Sequence, residues 1–598
     1  MRNFLIVFAL IATNSLLAQD LVILHTNDIH NHINGLAPET EFTPLLNDHD
    51  TTLGGLSRIA GFIKAEKEKS GDKLLVVDCG DFSMGTLFQS LEYTEGFQLN
   101  LMKKMGYDYV ALGNHDFDFG TNNLAKLIFL NQNHVGGIPQ LLCANYIKDN
   151  DNSDSALVNK FDEGAILPYK VVEKNGFKIG IFSVLGDVAS KAIPDYVNVS
   201  FKKSRSVAAK TARFLKNKEN VDLVVVLSHG GVYKNKKLEW RGPDMEIGEA
   251  SSDIDIIVGG HSHTALSEMI KSGNAVVVQA GSFGNNVGKL EVTFDKNRKP
   301  QFNYHLFQMN DDILADSSIQ KYIDEKAVSI EKNILSGIGI KINEPLYETG
   351  FNLVKDDKEP GKSNLGPFIS DAIDHYLNVC NHENVDVSIV ATGLIRHNID
   401  VGKTGKQNVN DIFNIIPLGM TKDRIPGSPL GKFYMTGHDL KKIFEVVLAI
   451  YPRVKGTYLY FTGMQLTCNP HRGLFRKISE IKIGNEEKGY KTISFSKNDK
   501  TLYCIAANRI TLSFIEKMKR MSLGIVNIEC KNSDGSVIQN DHSLIDIDKE
   551  KEGIQEAKEW LAILDYVRSF PDQNGNGIPD VPAIYKTEVN SITVKKVK

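Results

Sequence analysis

The stretch that most constrains what this chain can fold into is Leu21 to His30, LVILHTNDIH. An unbroken apolar and β-compatible run leads straight to Asp28 and His30, the pattern of a buried parallel strand that delivers a carboxylate and an imidazole to its carboxyl end. Open α/β sheets carry their chemistry at that end. Taken alone, an Asp-x-His pair is better explained by a strand-end turn and a helix cap. Four later segments repeat the construction, however. KLLVVDCGD ends in Asp78 and Asp81, YDYVALGNHD in Asn114, His115 and Asp116, DLVVVLSHGG in His229, and DIDIIVGGHSH in His261 and His263.

Between Leu21 and about Phe307 these apolar runs alternate with amphipathic stretches such as Gly55 to Lys69 and Ser204 to Lys216. Strands separated by helices point to an α/β sandwich rather than a barrel of hairpins. At 598 residues the chain is too long for one core. Residues 311–335 place Ile319, Tyr322, Ile323, Ala327 and Ile330 at helical spacing, which reads as a connecting helix. After Pro345 a second α/β region begins, with helices from Leu365 to Asn378 and Gly437 to Ile450, a strand in VDVSIVATG, and strands around Leu459 to Thr467 and Leu502 to Ala507. The organisation expected is therefore 1–19 as a leader, 20–310 and 346–598 as two domains, and 311–345 as a linker.

The opening MRNFLIVFALIATNSLLAQD joins an early Arg, a short apolar run and a small residue at Ala18, the pattern of a secretory signal cleaved near Ala18-Gln19. The run is short of the ~20 residues needed to span a bilayer, and no later segment is long enough either. An exported protein, periplasmic or extracellular, is expected. The cysteines are scattered singly; Cys468 has Cys504 or Cys530 as alternative partners, and spacing does not choose. The net charge of -4 without a concentrated basic face gives no case for nucleic-acid binding. Oligomeric state is left open.

Carboxylates, imidazoles and one amide oxygen gathered at neighbouring strand ends form the ligand set of a site for two divalent ions about 3.5–4 Å apart. Mixed sites of this kind accept several metals, so zinc and manganese are both compatible. Two such ions neutralise a phosphate ester and activate a water near neutral pH, with no covalent enzyme intermediate required. Asp78, followed by the Cys-Gly-Asp turn, reads as a strand-end cap rather than a ligand.

The order D-x-H, G-D-x-x-x-G, G-N-H-D, S-H-G-G, G-H-S-H closely resembles the calcineurin-like metallophosphoesterases. LHTNDIHNH, GNHDFDFG and the second region resemble, more narrowly, the secreted two-domain 5'-nucleotidases that include UDP-sugar hydrolases and cyclic-nucleotide phosphodiesterases. The resemblance implies a four-layer αββα catalytic sandwich, a linker helix, and a C-terminal α/β (α+β) domain that reads the substrate. It implies one metal on Asp28, His30, Asp81 and His263, and a second on Asp81, Asn114, His229 and His261, with Asp81 as the bridge. It also implies a dyad in which Asp118 orients His115 toward the phosphate or the leaving oxygen. Asp116 stands where such proteins often carry Glu and receives no direct role.

On the substrate side the resemblance is patchier. The family's Asn-Gly-Gly-Gly-Ile-Arg loop corresponds to Ala391 to Arg396, which keeps Gly393 and Arg396 but not the Asn. Its Pro-Phe-Gly turn is Pro417-Leu418-Gly419, and its second aromatic segment is Asn508 to Leu512, where Arg509 replaces a ring. Its phosphate-clamping Arg near Asn364 is absent, leaving Lys358 or Lys362. Losing two stacking rings removes about 1–3 kcal/mol each of base affinity, so the adenine clamp is absent unless Phe461 or Phe514 rebuilds it. The substrate-binding set is therefore Arg396, Asn364, Gly393, Leu418 and Asn508, and the partner is a small phosphorylated, nucleotide-like molecule.

DQNGNGIPD, from Asp572 to Asp580, resembles a calcium loop without a Glu at the twelfth position. Three functions follow: a phosphoesterase of the 5'-nucleotidase type, a thiosulfohydrolase on the same metal scaffold, or a binding protein on a retained hydrolase fold. The full ligand set argues against the last.

Overall fold

The computed structural model describes residues 20–594, apart from 133–136, 149–154, 195, 357–358, 420–424, 512–527, 539–543, 549, 552–554 and 588–591. The expected leader at 1–19, Lys358, Leu512 and Phe514 lie outside the described residues.

The first region is built on two sheets. One contains β1 (Leu21–Thr26), β2 (Leu74–Asp78), β3 (Tyr109–Ala111), β4 (Gln140–Leu142) and β5 (Ile166–Leu167). The other contains β6 (Tyr169–Lys174), β7 (Phe177–Leu185), β8 (Leu223–His229), β9 (Ile256–Gly259), β10 (Ile270–Ser272) and β11 (Ala275–Val278). The chain then returns through β12 (Asn286–Phe294) and β13 (Pro300–Gln308), giving sheet orders β13-β12-β1-β2-β3-β4-β5 and β10-β11-β9-β8-β7-β6.

The unbroken apolar runs follow from burial on both faces. Leu21 and Ile23 of β1 meet Leu223, Val225 and Leu227 of β8 in the core between the sheets. Val22 and Leu24 face outward onto the helix Leu56–Ser70, whose Leu56, Ile59 and Ile63 share that outer core. Val224 and Val226 face the opposite way, onto Ala208, Ala212 and Leu215 of the helix Ser204–Asn217. Helix, sheet, sheet and helix thus form the four expected layers. Burying each Leu, Ile or Val contributes about 1.5–3 kcal/mol, which fixes the register and, with it, where every strand ends.

Parallel pairing aligns those ends. Val22 lies opposite Leu74 and Thr26 opposite Asp78, Val77 lies opposite Tyr109, and in the second sheet Ser228 lies opposite Gly259. Asp78 caps its turn as expected, accepting from the Gly80 N–H at 2.9 Å and the Thr26 hydroxyl at 2.6 Å.

The connecting helix runs from Ser317 to Asn333, its amino end capped by the Asp316 carboxylate and Ile319, Ile323 and Ile330 buried. Beyond it, Leu430–Thr436, Leu502–Asn508, Val387–Ala391 and Leu459–Thr462 form a four-stranded sheet in that order. The helix expected from Leu365 to Asn378 is α-helical to Asp374 and widens to a π-helix over His375–Cys380. Cys468 and Cys504 are buried free thiols in different sheets. The C-terminal region docks directly on the first. Thr40 Oγ1 donates to the Lys406 carbonyl at 2.7 Å, Gln89 Nε2 to the Pro417 carbonyl at 3.1 Å, and the Phe283 and His397 rings lie 4.2 Å apart.

Candidate metal centre

Five strand ends converge where the two sheets' carboxyl edges meet. Asp28, His30 and His263 form one group and Asp81, His229 and His261 another, each with its ligand atoms within 4.8 Å of one another. One side chain reaches across: Asp81 Oδ2 lies 3.1 Å from His229 Nε2 in its own group and 3.8 Å from His30 Nε2 in the other. One carboxylate oxygen therefore faces both groups.

The local backbone is bent to make this possible. Asp28, His30, Asp81, His261 and His263 all have left-handed φ, between 51° and 71°. Each such residue costs of order 1–3 kcal/mol and persists only where its surroundings over-determine it. The surroundings here are specific hydrogen bonds. Asp28 N–H donates to the Gly80 carbonyl and His30 N–H to the Asp81 carbonyl, both at 2.9 Å. The N–H of His261 donates to both Asp28 oxygens, at 3.1 and 2.9 Å, tying the two sheets together at the site. Gly113 is required by proximity: a Cβ there would sit 2.1 Å from Asp81 Oδ1.

The imidazoles are oriented from behind. His229 Nδ1 meets the Cys79 carbonyl at 2.7 Å and His30 Nδ1 the Met84 carbonyl at 3.1 Å, so each ring donates its Nδ1 proton there and turns its Nε2 inward. His30 Nε2 and His263 Nε2 then lie 3.2 Å apart. Asn114 Oδ1 is buried with no hydrogen-bond partner.

The electrostatics calls for cations. Burial, helped by the Asp81 charge, pushes the Asp28 carboxyl up to about 7. Burial holds His261 at about 4 and His263 at about 3, keeping both neutral with lone pairs available. For His229 burial works the other way, yet the Asp81 charge wins and raises it to about 10. Two facing lone pairs, an orphaned amide oxygen and two buried carboxylates fit a pair of divalent ions. Those ions supply charge neutralisation and Lewis acidity when bound.

Beside this centre, His115 Nδ1 meets Asp118 Oδ2 at 2.6 Å, and the His115 N–H donates to Asp81 Oδ1 at 2.7 Å. Burial opposes a charge on His115, but Asp118 and Asp81 together raise its pKa above the ordinary value. From the C-terminal region, the Arg396 guanidinium is mostly buried in the field of Asp81, Asp118 and Asp28. The other substrate-side residues are placed differently. Gly393 is exposed and Leu418 half-buried against the core. Asn364 accepts from Val354 N–H and donates to the Asn352 and Tyr585 carbonyls, at 2.6, 3.0 and 2.8 Å. Asn508 accepts from Thr511 N–H at 2.7 Å and donates to Glu559 Oε2 at 2.8 Å. Both amides are thus committed to the scaffold.

Three contributors are given no role by the sequence. Asp116 accepts from the N–H groups of Asp81, Gly113 and Ser83 and from the Ser83 hydroxyl, at 3.0, 2.7, 3.1 and 2.9 Å, and so holds the turn that presents Asp81. Its signal is a third polar residue closing an apolar strand. Asn27 Nδ2 donates to Asp28 Oδ2 at 2.6 Å. The Phe283 ring stands 5.7 Å from His30 and 5.2 Å from His263, and 4.2 Å from His397. No sequence pattern indicates that contact. In the Asp572–Asp580 loop, Asp572 accepts from the N–H groups of Gly575, Asn576 and Gly577, and the Asn574 and Asn576 amides hydrogen-bond Glu348.

Residues 21–265 match the calcineurin-like phosphoesterase family, and residues 340–508 the 5'-nucleotidase C-terminal domain. With the site just described, this makes the chain a metal-dependent phosphoester hydrolase. It belongs to the two-domain 5'-nucleotidase family. The 5'-nucleotidase of Rattus norvegicus is 25% identical over 494 residues, covering 78% of each chain. That of Vibrio cholerae is 24% identical over 506 residues, covering 78% of this chain and 81% of its own. Among solved structures, a 5'-nucleotidase precursor from Thermus thermophilus shares the fold with a TM-score of 0.64 at 20% identity, covering 97% of this chain and all of its own. The sulfate thiohydrolase SoxB from the same species does so with 0.61 at 14% identity, covering 97% of each.

Proposed function

We propose that this chain is an exported 5'-nucleotidase-like hydrolase that cleaves phosphate esters of nucleotides and related small metabolites with little regard for the base. Residues 1–19 are the export signal, 20–310 the catalytic domain, 311–345 the linker and 346–598 the substrate domain. Asp28, His30, Asp81 and His263 hold one ion and Asp81, Asn114, His229 and His261 the other, with zinc or manganese as the metals. The observation that carries this reading is Asp81 Oδ2 between His30 and His229, at 3.8 and 3.1 Å.

In the reaction a water oxygen forms a new bond to phosphorus as the ester P–O bond breaks, and the leaving alkoxide takes up a proton. His115, oriented through Nδ1 by Asp118, presents its other nitrogen to the departing oxygen. Arg396 offers paired N–H donors to the phosphate from a position where burial lowers its pKa and Asp81, Asp118 and Asp28 oppose that shift. Among the described residues no helix is long and apolar enough to cross a membrane.

Weak base selection rests on Leu418 and Arg509 standing where the family presents rings. The test is kcat/KM for AMP, UMP and ribose 5-phosphate under one metal condition. The expected result is agreement within about tenfold, equivalent to ~1.4 kcal/mol. A preference above about a hundredfold for one nucleotide would overturn weak base selection. Hydrolysis of a thiosulfonate in place of every phosphate ester would instead favour the thiosulfohydrolase reading.

A further inference from the structure

Away from the metal centre, a narrow gap lies between the first region and the helix Val409–Ile415, its polar lining including His32, Asn34, Glu39, Asn410 and Asn414. His32, Glu39, Asn410 and Asn414 are 2%, 8%, 1% and 3% exposed, so all four are deeply buried. Three of them carry a buried polar atom with no hydrogen-bond partner: His32 Nε2, Asn410 Oδ1 and Asn414 Oδ1. Stranding such an atom costs about 1–3 kcal/mol, and a single gap lined by three of them calls for an occupant.

The orientations of His32 and Asn410 are fixed by their neighbours. His32 Nδ1 meets the Ile29 carbonyl at 3.1 Å, so it carries the ring proton and Nε2 presents a lone pair. Asn410 Nδ2 and Asn34 Nδ2 both donate to Glu39 Oε1, at 2.7 and 2.5 Å, which sets Asn410 with its amide nitrogen on Glu39 and leaves Oδ1 as the atom without a partner. The residues lining the gap therefore bring three unpartnered acceptors, His32 Nε2, Asn410 Oδ1 and Asn414 Oδ1, while Asn34 and Asn410 each give an amide N–H to Glu39. It is too tight for a water molecule. Its lining holds one carboxylate, matching a single positive charge; a divalent ion buried there would keep an uncompensated charge. Burial, with Asp411 alongside, pushes the Glu39 carboxyl up to about 8, so this position takes a proton when no other cation is present.

We propose that this interdomain gap binds one dehydrated monovalent cation of sodium size, held by oxygens of Glu39, Asn410 and Asn414 and by the His32 lone pair. Because Glu39 and His32 belong to the first region and Asn410 and Asn414 to the second, the bound ion favours their docked arrangement by linkage. The inference is independent of which ester the enzyme cleaves.

The test uses the full chain with its divalent ions at fixed concentration. Its thermal midpoint is followed as sodium chloride replaces choline chloride at constant ionic strength. Wild type is expected to show a saturable rise of about 2 °C at a hundredfold excess over Kd. Glu39→Gln, which keeps the shape of the side chain, and Asn414→Leu should lose that response. An unchanged sodium response in Glu39→Gln, no wild-type response to sodium, or a response to potassium or a divalent ion alone would refute the assignment.

Discussion

Asp116 is the sharpest place to test how the site is held. Its Oδ2 accepts two backbone N–H groups, from Asp81 and Gly113, and its Oδ1 accepts the N–H and hydroxyl of Ser83. In Asp116→Asn the amide oxygen best replaces Oδ2 and keeps the two backbone donors. The new NH₂ then faces Ser83, whose hydroxyl can turn to accept while its N–H is stranded. One buried donor without a partner costs about 1–3 kcal/mol. Asp116→Ala strands three backbone donors and should cost about 3 kcal/mol or more, unless water enters. Because the turn being released is the one that places Asp81 at φ 55°, the loss should reach the metals. Both variants are expected to bind divalent ions about 10–100-fold more weakly, alanine more than asparagine. The assays are urea unfolding, competition with a chelator, and kcat/KM at saturating metal. Wild-type stability and metal affinity in Asp116→Ala would refute the idea that this carboxylate supports the bridge.

Other perturbations separate the roles. Asp81→Ala should abolish turnover and lower metal content without unfolding the chain, checked by metal analysis beside circular dichroism; wild-type-like activity would sink the bridge. His115→Ala should cut kcat by roughly 10²–10⁴ with both metals retained; loss of an ion would instead make His115 a ligand. In the C-terminal region, Glu559 is buried and burial raises its carboxyl to about 8. A raised acid contributes stability that is full below the unfolded value near 4.5 and is lost as pH rises toward 8, by about 4 kcal/mol. Glu559→Gln should therefore flatten the stability profile between pH 5 and 8, and an unchanged profile would contradict the assignment.

The parts of this molecule that can be read from its sequence are those written by local pattern. β1 and β8 bury both faces, so their apolar runs stand out, and a charged or polar residue at the end of such a run is conspicuous. That is why Asp28, Asp81, Asn114, His229 and His263 are legible in the chain itself. What pattern does not encode is contact between distant segments. Phe283 meets His397, and Asp411 accepts from the Glu39 N–H at 2.9 Å, only because the second region docks on the first. Asn364 and Asn508 illustrate the converse. Their motif positions suggest substrate contact, yet the side-chain amides are committed to Tyr585 and Glu559, whose proximity no spacing announces.

The central claim is a two-ion centre bridged by Asp81, and it is tested most directly by metal stoichiometry at full activity. The chain is stripped with chelator, reloaded with manganese or zinc, and its bound metal measured alongside AMP hydrolysis. The expected result is no turnover in the stripped protein and full turnover at two ions per chain, with Asp81→Ala failing to reach that occupancy. Full activity in the stripped protein, or at one ion per chain, would contradict it.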